Sequence, residues 1–415
     1  MKILVVVDSI NIEDSSGSKS NVALIDNLTA GGFEVLVYHY TLKNIQLSAI
    51  NPTYAIPELK FSPLYFLSRL QRLIQRNFRV NLAPFLEGLF GFSFTFFNDT
   101  NSIVRALKKC DFAPDLVLTL SKGASFRPHY AVLQLPQFHS KWMAYVHDPY
   151  PFHYNPRPYN WIETSYQDKE KFFTEVSEKA EYSAFPSLML KEWMGSYFPN
   201  FLKTGVLIPH QNAKQKMHNI ELPEYFDDRK FTVLHAGNLI KQRSPQGLLK
   251  GFKLFLKQNP TAVQDSKLIL LGNAAYHSDM LTAYGKDNST MYIYNGNVPF
   301  DTVYTLQQKV TVNVILESKS EISPFLPAKF PHCLEANKAI LSLAPYYSET
   351  KRLLGNDYPY WSEVDDVNKI ASIISEMYQL WQQNPDQLLL NRKDLVRYFS
   401  FEYLKKIILS LQSNS

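Results

Sequence analysis

The fold class this sequence predicts is α/β: two doubly wound, Rossmann-like domains facing a central cleft. Three observations carry that prediction. At 415 residues the chain exceeds one ordinary core and suits two. Short apolar runs alternate with segments of helical period, as in a parallel sheet covered on both faces. The alternation pauses in a polar stretch over 214–230, KQKMHNIELPEYFDDRK, and then restarts. The expected domains are therefore residues 1–212 and 213–392, with 393–415 a helix returning to the first.

In the first half, KILVVVD reads as a buried strand. Its apolar run spans five residues before Asp8 with no small-residue cleavage site behind it, so it is not read as a leader. GSKSNVALIDNLTAGG is a loop and helix with a Gly-Gly stop, and FEVLVYHY the second strand. PDLVLTLS, WMAYVHD and EYSAFPS continue as strands, KEWMGSYF as a helix, and GVLIPH closes the half. In the second half, KFTVLHAGN, SKLILLGN, TMYIYNGNV, VTVNVILE and KAILSLA are strands. SPQGLLKGFKLFLKQNP and FDTVYTLQQK are helices among them. The stretch RKDLVRYFSFEYLKKIILSLQ is helical with an apolar stripe and is expected to pack toward the first domain.

Composition narrows the function classes. A net charge of +5 is too mild to argue for nucleic acid. Cys110 and Cys333 lie far apart without ligand spacing and read as reduced thiols of a cytoplasmic protein. No run of 18 apolar residues occurs. Also absent are a D-x-D pair, a phosphate-binding G-x-x-x-x-G-K-[ST] loop, a G-x-S-x-G elbow, C-x-x-C, H-E-x-x-H and G-x-G-x-x-G. No metal or other cofactor is expected.

Ligands of open parallel sheets sit at the carboxyl ends of the strands, so residues just past each strand matter most. HAGNLIKQRSP places Gly237 where backbone can approach a ligand, with Asn238, Lys241 and Arg243 following. SPFLPAKFPHCLEANKAILSL sets Ser323 and Lys329 where a helix begins, an arrangement suited to an anion. Lys241, Arg243 and Lys329 gathered at one edge would hold a diphosphate. Gly272 and Asn273, then Gly296, Asn297 and Val298, follow the next two strands, where a flat base could lie. Glycine turns also end most parallel strands without any ligand. In the first half, Gly17, Ser18 and Lys19 form a glycine-bearing loop ahead of a helix. His147 and Asp148 follow a strand, with His153 and several prolines close behind. His147 could donate to a sugar hydroxyl, or form a structural pair with Asp148. Finally, Arg69, Arg72, Arg76 and Arg79 recur at helical spacing with Leu70, Leu73 and Ile74 turned elsewhere. This suits an anionic membrane surface, and equally a solvated basic face.

In this order and spacing, HAGNLIKQRSP, LILLGN, YNGNV and SPFLPAKFPHCLEANKAIL resemble the retaining, family-4-like (group 1) GT-B glycosyltransferases over nearly the whole chain. The resemblance implies a metal-independent hexosyltransferase that moves a sugar from a nucleoside-diphosphate sugar to a hydroxyl. The acceptor would be a glycan or lipid-linked glycan, in surface polysaccharide assembly. The enzyme would be cytoplasmic, with peripheral contact on the inner face of the membrane. It also implies roles for residues. Arg243 binds phosphate, and Lys329 with Ser323, Phe325, Leu326 and Pro327 cradles the diphosphate. Gly296 to Val298 take the base, Gly17 and Ser18 face the phosphates, and His147 lies near the donor sugar. The chain departs from the family where paired glutamates are usual, since Pro324 and His332 hold those positions and Glu335 stands one helical turn on. Asn238 replaces the basic residue after the glycine. A non-catalytic binding or partner subunit on the same fold is a second reading, and a sugar-nucleotide epimerase a third.

Overall fold

The computed structural model describes residues 1–47, 52–159, 161–212, 221–285 and 289–412. The chain divides into two compact units: Met1–Asn155 with Tyr159–Lys214 and Phe399–Ser415, and Pro156–Pro158 with Gln215–Tyr398.

The first unit holds β1 (Lys2–Val7), β2 (Glu34–His39), β3 (Thr53–Ala55), β4 (Leu116–Leu120), β5 (Trp142–Tyr145), β6 (Tyr182–Phe185) and β7 (Gly205–Leu207). They form one parallel sheet in the order β3-β2-β1-β4-β5-β6-β7. Strand side chains alternate between two apolar layers, Leu4 and Val6 in one and Ile3, Val5 and Val7 in the other. That double burial is why β1 is a continuous apolar run. Helix α1 (Ser16–Ala30) follows β1, its N-terminus capped by the Ser15 hydroxyl, which accepts from the Ser18 amide at 3.1 Å. Gly17 and Ser18 thus belong to the first helical turn rather than to a loop. Between β3 and β4 run α2 (Pro63–Phe78), α3 (Ala83–Phe90) and α4 (Phe94–Leu107).

The second unit contains β8 (Phe231–Ala236), β9 (Ser266–Leu271), β10 (Met291–Tyr294), β11 (Val312–Leu316), β12 (Ile322–Ser323), β13 (Ala339–Leu343), β14 (Tyr347–Ser348) and β15 (Trp361–Ser362). Its main sheet is parallel in the order β10-β9-β8-β11-β13-β15, and β12 pairs with β14 apart from it. The two main sheets reverse strand order at equivalent places, between β1 and β4 and between β8 and β11.

The terminal segment is two helices, Lys393–Tyr398 and Phe401–Gln412. Ser400 interrupts them, its hydroxyl accepting the Tyr403 amide at 3.2 Å and starting the helix anew. Only the second helix joins the first unit, where Leu404, Ile408 and Leu411 complete the layer containing Ile3, Val5 and Val7.

Candidate active site

The order reversal between β8 and β11 is where an open sheet leaves a crevice. The two strands pair only at Val312↔Val233 and Asn313↔Leu234, then part. Lys329, which caps the six-residue helix Phe330–Glu335, fills the opening. Its ammonium donates to the carbonyls of Val314 (2.9 Å) and Ala236 (3.2 Å), and lies 3.2 Å from His235 Nδ1. Parting strands leave buried carbonyls that need a donor, and this lysine is the donor. Burial brings its pKa down to about 7, with the Arg243 guanidinium pushing the same way. His235 is held well below the usual histidine range by burial and by the charges of Lys329 and Arg243, so Nδ1 is free to accept.

Two glycine turns shape the floor. Gly237 has φ +154°, a conformation open mainly to glycine, and a Cβ there would stand 3.7 Å from Lys329 Nζ. Gly272 lies so close to the Gly237 carbonyl oxygen that a Cβ would come within 2.4 Å of it. Asn238 Oδ1 accepts the Asn273 amide at 3.1 Å, and the Leu239 amide donates to Asn273 O at 2.8 Å. Asn238 and Asn273 therefore lace the turns together. One strand further, Asn295 Oδ1 accepts the Ala274 amide at 2.7 Å. Gly296 lies against the Tyr294 ring, Asn297 is exposed, and Val298 packs partly on the core under Leu234 and Ile269.

Of the three cations expected to converge, two do. Arg243 acts electrostatically on Lys329, His235 and Glu317, and its Nη1 donates to Asn238 O at 3.3 Å. Its buried Nε has no hydrogen-bond partner among the described residues. Lys241, two residues earlier in the same loop, is exposed. Ser323 is buried and its hydroxyl is already committed, donating to the Glu317 carboxylate. Phe325, Leu326 and Pro327 bring the chain from β12 to the helix, with Leu326 buried and Pro327 O accepting the Phe330 amide at 2.8 Å.

His332 and Glu335 face elsewhere. His332 packs edge-on to Phe300 and Tyr304, with ring centroids 5.4 and 5.9 Å away, and Glu335 reaches the Tyr304 hydroxyl. The carboxylate beside the cations is Glu317, directly after β11 and 4% exposed. Burial raises its pKa to about 7 against the opposing pull of Ser323 and Arg243. Glu317 and His235 were missed in the sequence. Glu317 follows its strand as Gly237 follows β8, so the strand-end rule could have found it; His235 lies inside its strand and offered no such signal.

In the first unit, the His147 ring stacks parallel to that of His210 with centroids 6.0 Å apart, and lies 4.3 Å from that of Tyr145. Its buried Nε2 has no hydrogen-bond partner among the described residues, and burial with the neighbouring His210 holds it neutral. Asp148 is pushed up to about 6 by burial alone, so no His-Asp ion pair forms. His153 bonds to Glu170 at 2.8 Å. Gly17 approaches the Gly123 backbone, a Cβ there standing 3.7 Å from Gly123 N. Ser18 is buried, its hydroxyl 3.1 Å from that of Ser15.

No protein-family model matches the sequence, and no curated protein does. Solved structures do match along their whole lengths. Anabaena HepE (Alr3699), determined with UDP and glucose, is 11% identical over 100% of both chains with a TM-score of 0.61. The trehalose-6-phosphate synthase OtsA is 9% identical over 99% of this chain and 98% of its own, with a TM-score of 0.62. WaaG, a glycosyltransferase involved in lipopolysaccharide biosynthesis, is 9% identical over 98% and 99%, with a TM-score of 0.58. The chain has the GT-B fold. In this GT-B chain the two sheets have equivalent strand orders, and the second places Arg243, Lys329 and Glu317 around a gap in its ladder.

Proposed function

We propose that the protein is a retaining glycosyltransferase using a nucleoside-diphosphate sugar, with the diphosphate held at the parted β8 and β11. The observation that carries this is the gathering of Arg243 and Lys329 at that gap beside Gly237, where two cations act on each other with no side chain on the glycine turn between them and the strand end. A diphosphate there would favour the charged form of Lys329 and give the Arg243 guanidinium a bidentate partner. As the bond between the sugar's anomeric carbon and the diphosphate oxygen breaks, these cations stabilise the charge on the departing group. The acceptor oxygen bonds to the anomeric carbon on the same face, and its proton passes to the leaving phosphate. Arg243 and Lys329 take the part a metal plays elsewhere, so no metal or other cofactor is included. The likeness to WaaG and HepE supports a sugar donor and a glycan or lipid-linked glycan acceptor. Peripheral contact at an anionic membrane is a further part of the proposal, suggested by the arginines of α2. The expected site residues that stand at the gap belong to the same reading, with the two domains taken as the two compact units.

A donor screen by mass spectrometry tests it. The expected result is release of one nucleoside diphosphate with transfer of its sugar, lost in Arg243→Ala. Full activity in that variant overturns the reading. The packing of His332 between Phe300 and Tyr304, where the family resemblance calls for a glutamate, favours a second reading, a donor-binding subunit without turnover. Binding without release across the whole screen would decide for it.

A further inference from the structure

Helix α2 reverses the ordinary direction of amphipathic burial. Its one buried side chain is Ser68, while Phe66 is 59% exposed, Leu70 53% and Leu73 47%. Positions 66, 70 and 73 share one stripe of a helix. The side toward the protein centres on Ser68, whose hydroxyl donates to Tyr65 O at 2.7 Å, with Leu64 and Tyr65 half-buried beside it, and Arg72 is tied to Thr95 of α4 at 3.0 Å. Helix α3 buries no side chain and exposes Phe85, Leu89 and Phe90. Phe61 and Phe78, at the two ends of α2, are 93% and 71% exposed. Exposed aromatic and leucine side chains on two successive helices mark a surface that something covers.

Charge identifies what covers it. From Lys60 to Leu86 there is no Asp or Glu, and Arg69, Arg72, Arg76 and Arg79 all fall in that stretch. Arg69 and Arg76 follow helical spacing along one edge of the apolar stripe, Arg69 also lying 3.6 Å from Glu58. A groove that begins at Phe61 and Lys60 adds Lys43, Arg105 and Lys109 against Glu58. A second copy of this chain seated on the same face would bring these arginines against their own symmetry mates, which opposes self-association. No helix among the described residues is long and apolar enough to cross a membrane. We infer that the first unit docks on an anionic bilayer through α2 and α3. The phenylalanines and leucines enter the acyl boundary, and the arginines extend to headgroup phosphates. This rests on the peripheral membrane contact of the proposed function but not on its donor chemistry, so either can fail alone.

The test is flotation of the full chain with phosphatidylcholine vesicles, with and without about 30% phosphatidylglycerol, an anionic fraction large enough to attract basic side chains. Expected is flotation with the anionic vesicles only, weakened by salt. Phe66→Ser/Leu70→Ser/Leu73→Ser should abolish it while the circular dichroism spectrum stays unchanged. Arg76→Gln/Arg79→Gln should lower partitioning by roughly tenfold or more. Failure of the native chain to float, or undiminished flotation of the triple variant, overturns the proposal. So does a dimer in light scattering that the triple variant converts to monomer, since the face would then be a protein interface.

Discussion

The order-reversal points of the two sheets are made alike and finished differently. Between β1 and β4 the ladder runs unbroken from Ile3↔Leu116 to Val7↔Leu120, and the Asp8 amide extends it to Leu120 O at 3.1 Å. Past its end, charges close on one another: Arg127 Nε lies 2.9 Å from Asp99 and Nη1 3.9 Å from Asp8. Asp8 also accepts the Lys122 amide at 3.0 Å and the Ser125 hydroxyl. Between β8 and β11 the ladder stops after two pairs, and a lysine side chain from elsewhere takes the freed carbonyls. A zipped reversal point spends its charges on itself. The open one keeps two cations, Arg243 and Lys329, acting on each other with Glu317 beside them.

Four experiments would break or sharpen that contrast. The largest effect is expected in the closed site, where Arg127→Ala leaves two buried carboxylates uncompensated. It should cost about 3 kcal/mol in urea unfolding, and a loss well under 1 kcal/mol would show the network to be idle. Arg243→Ala should reduce sugar transfer roughly a hundredfold at nearly unchanged stability, because its side chain is part-exposed and its bond to Asn238 O is long at 3.3 Å. Equal losses of stability in the two arginine variants would erase the distinction.

The third experiment is a pH profile. Lys329 titrates near 7, brought down chiefly by burial, and Glu317 near 7, raised chiefly by burial. Below that pH the lysine is charged and the glutamate neutral; above it the reverse holds. Donor affinity should therefore fall as pH rises through 7, by up to about tenfold per unit for the lysine alone. In Lys329→Met calorimetric titration should show weaker binding with a flatter profile. The same variant should lose about 1–3 kcal/mol of stability, since the Ala236 and Val314 carbonyls lose their donor. Smallest is Asn238→Ala, which removes one tie between the glycine turns at an exposed position. It should cost about 0.5–1 kcal/mol, measured by thermal unfolding.

The sheets were legible because parallel strands buried on both faces appear as apolar runs, and the helices between them carry a visible period. Gly237, Arg243 and Lys329 were legible because they stand at strand or helix ends. Side-chain direction was not. Lys241 and Arg243 are two residues apart in one loop, and one faces solvent while the other acts on Lys329. Lys329 itself turns inward to two carbonyls, a need created by β8 and β11 parting, which no local pattern announces. Ser323 is claimed by Glu317 through a contact that exists only once β11 and β12 are folded. The amphipathic period of α2 was visible too, but the usual expectation seats its apolar side on the protein, and here it faces out.

The helix Phe401–Gln412 bears on how this molecule is made. Leu404, Ile408 and Leu411 belong to the layer that holds Ile3, Val5 and Val7, and the Tyr182 hydroxyl reaches Leu411 O at 3.1 Å. During synthesis β1 emerges long before those three side chains exist, so part of its apolar covering arrives late. Until that helix is made, part of this face of the newborn sheet stays wet.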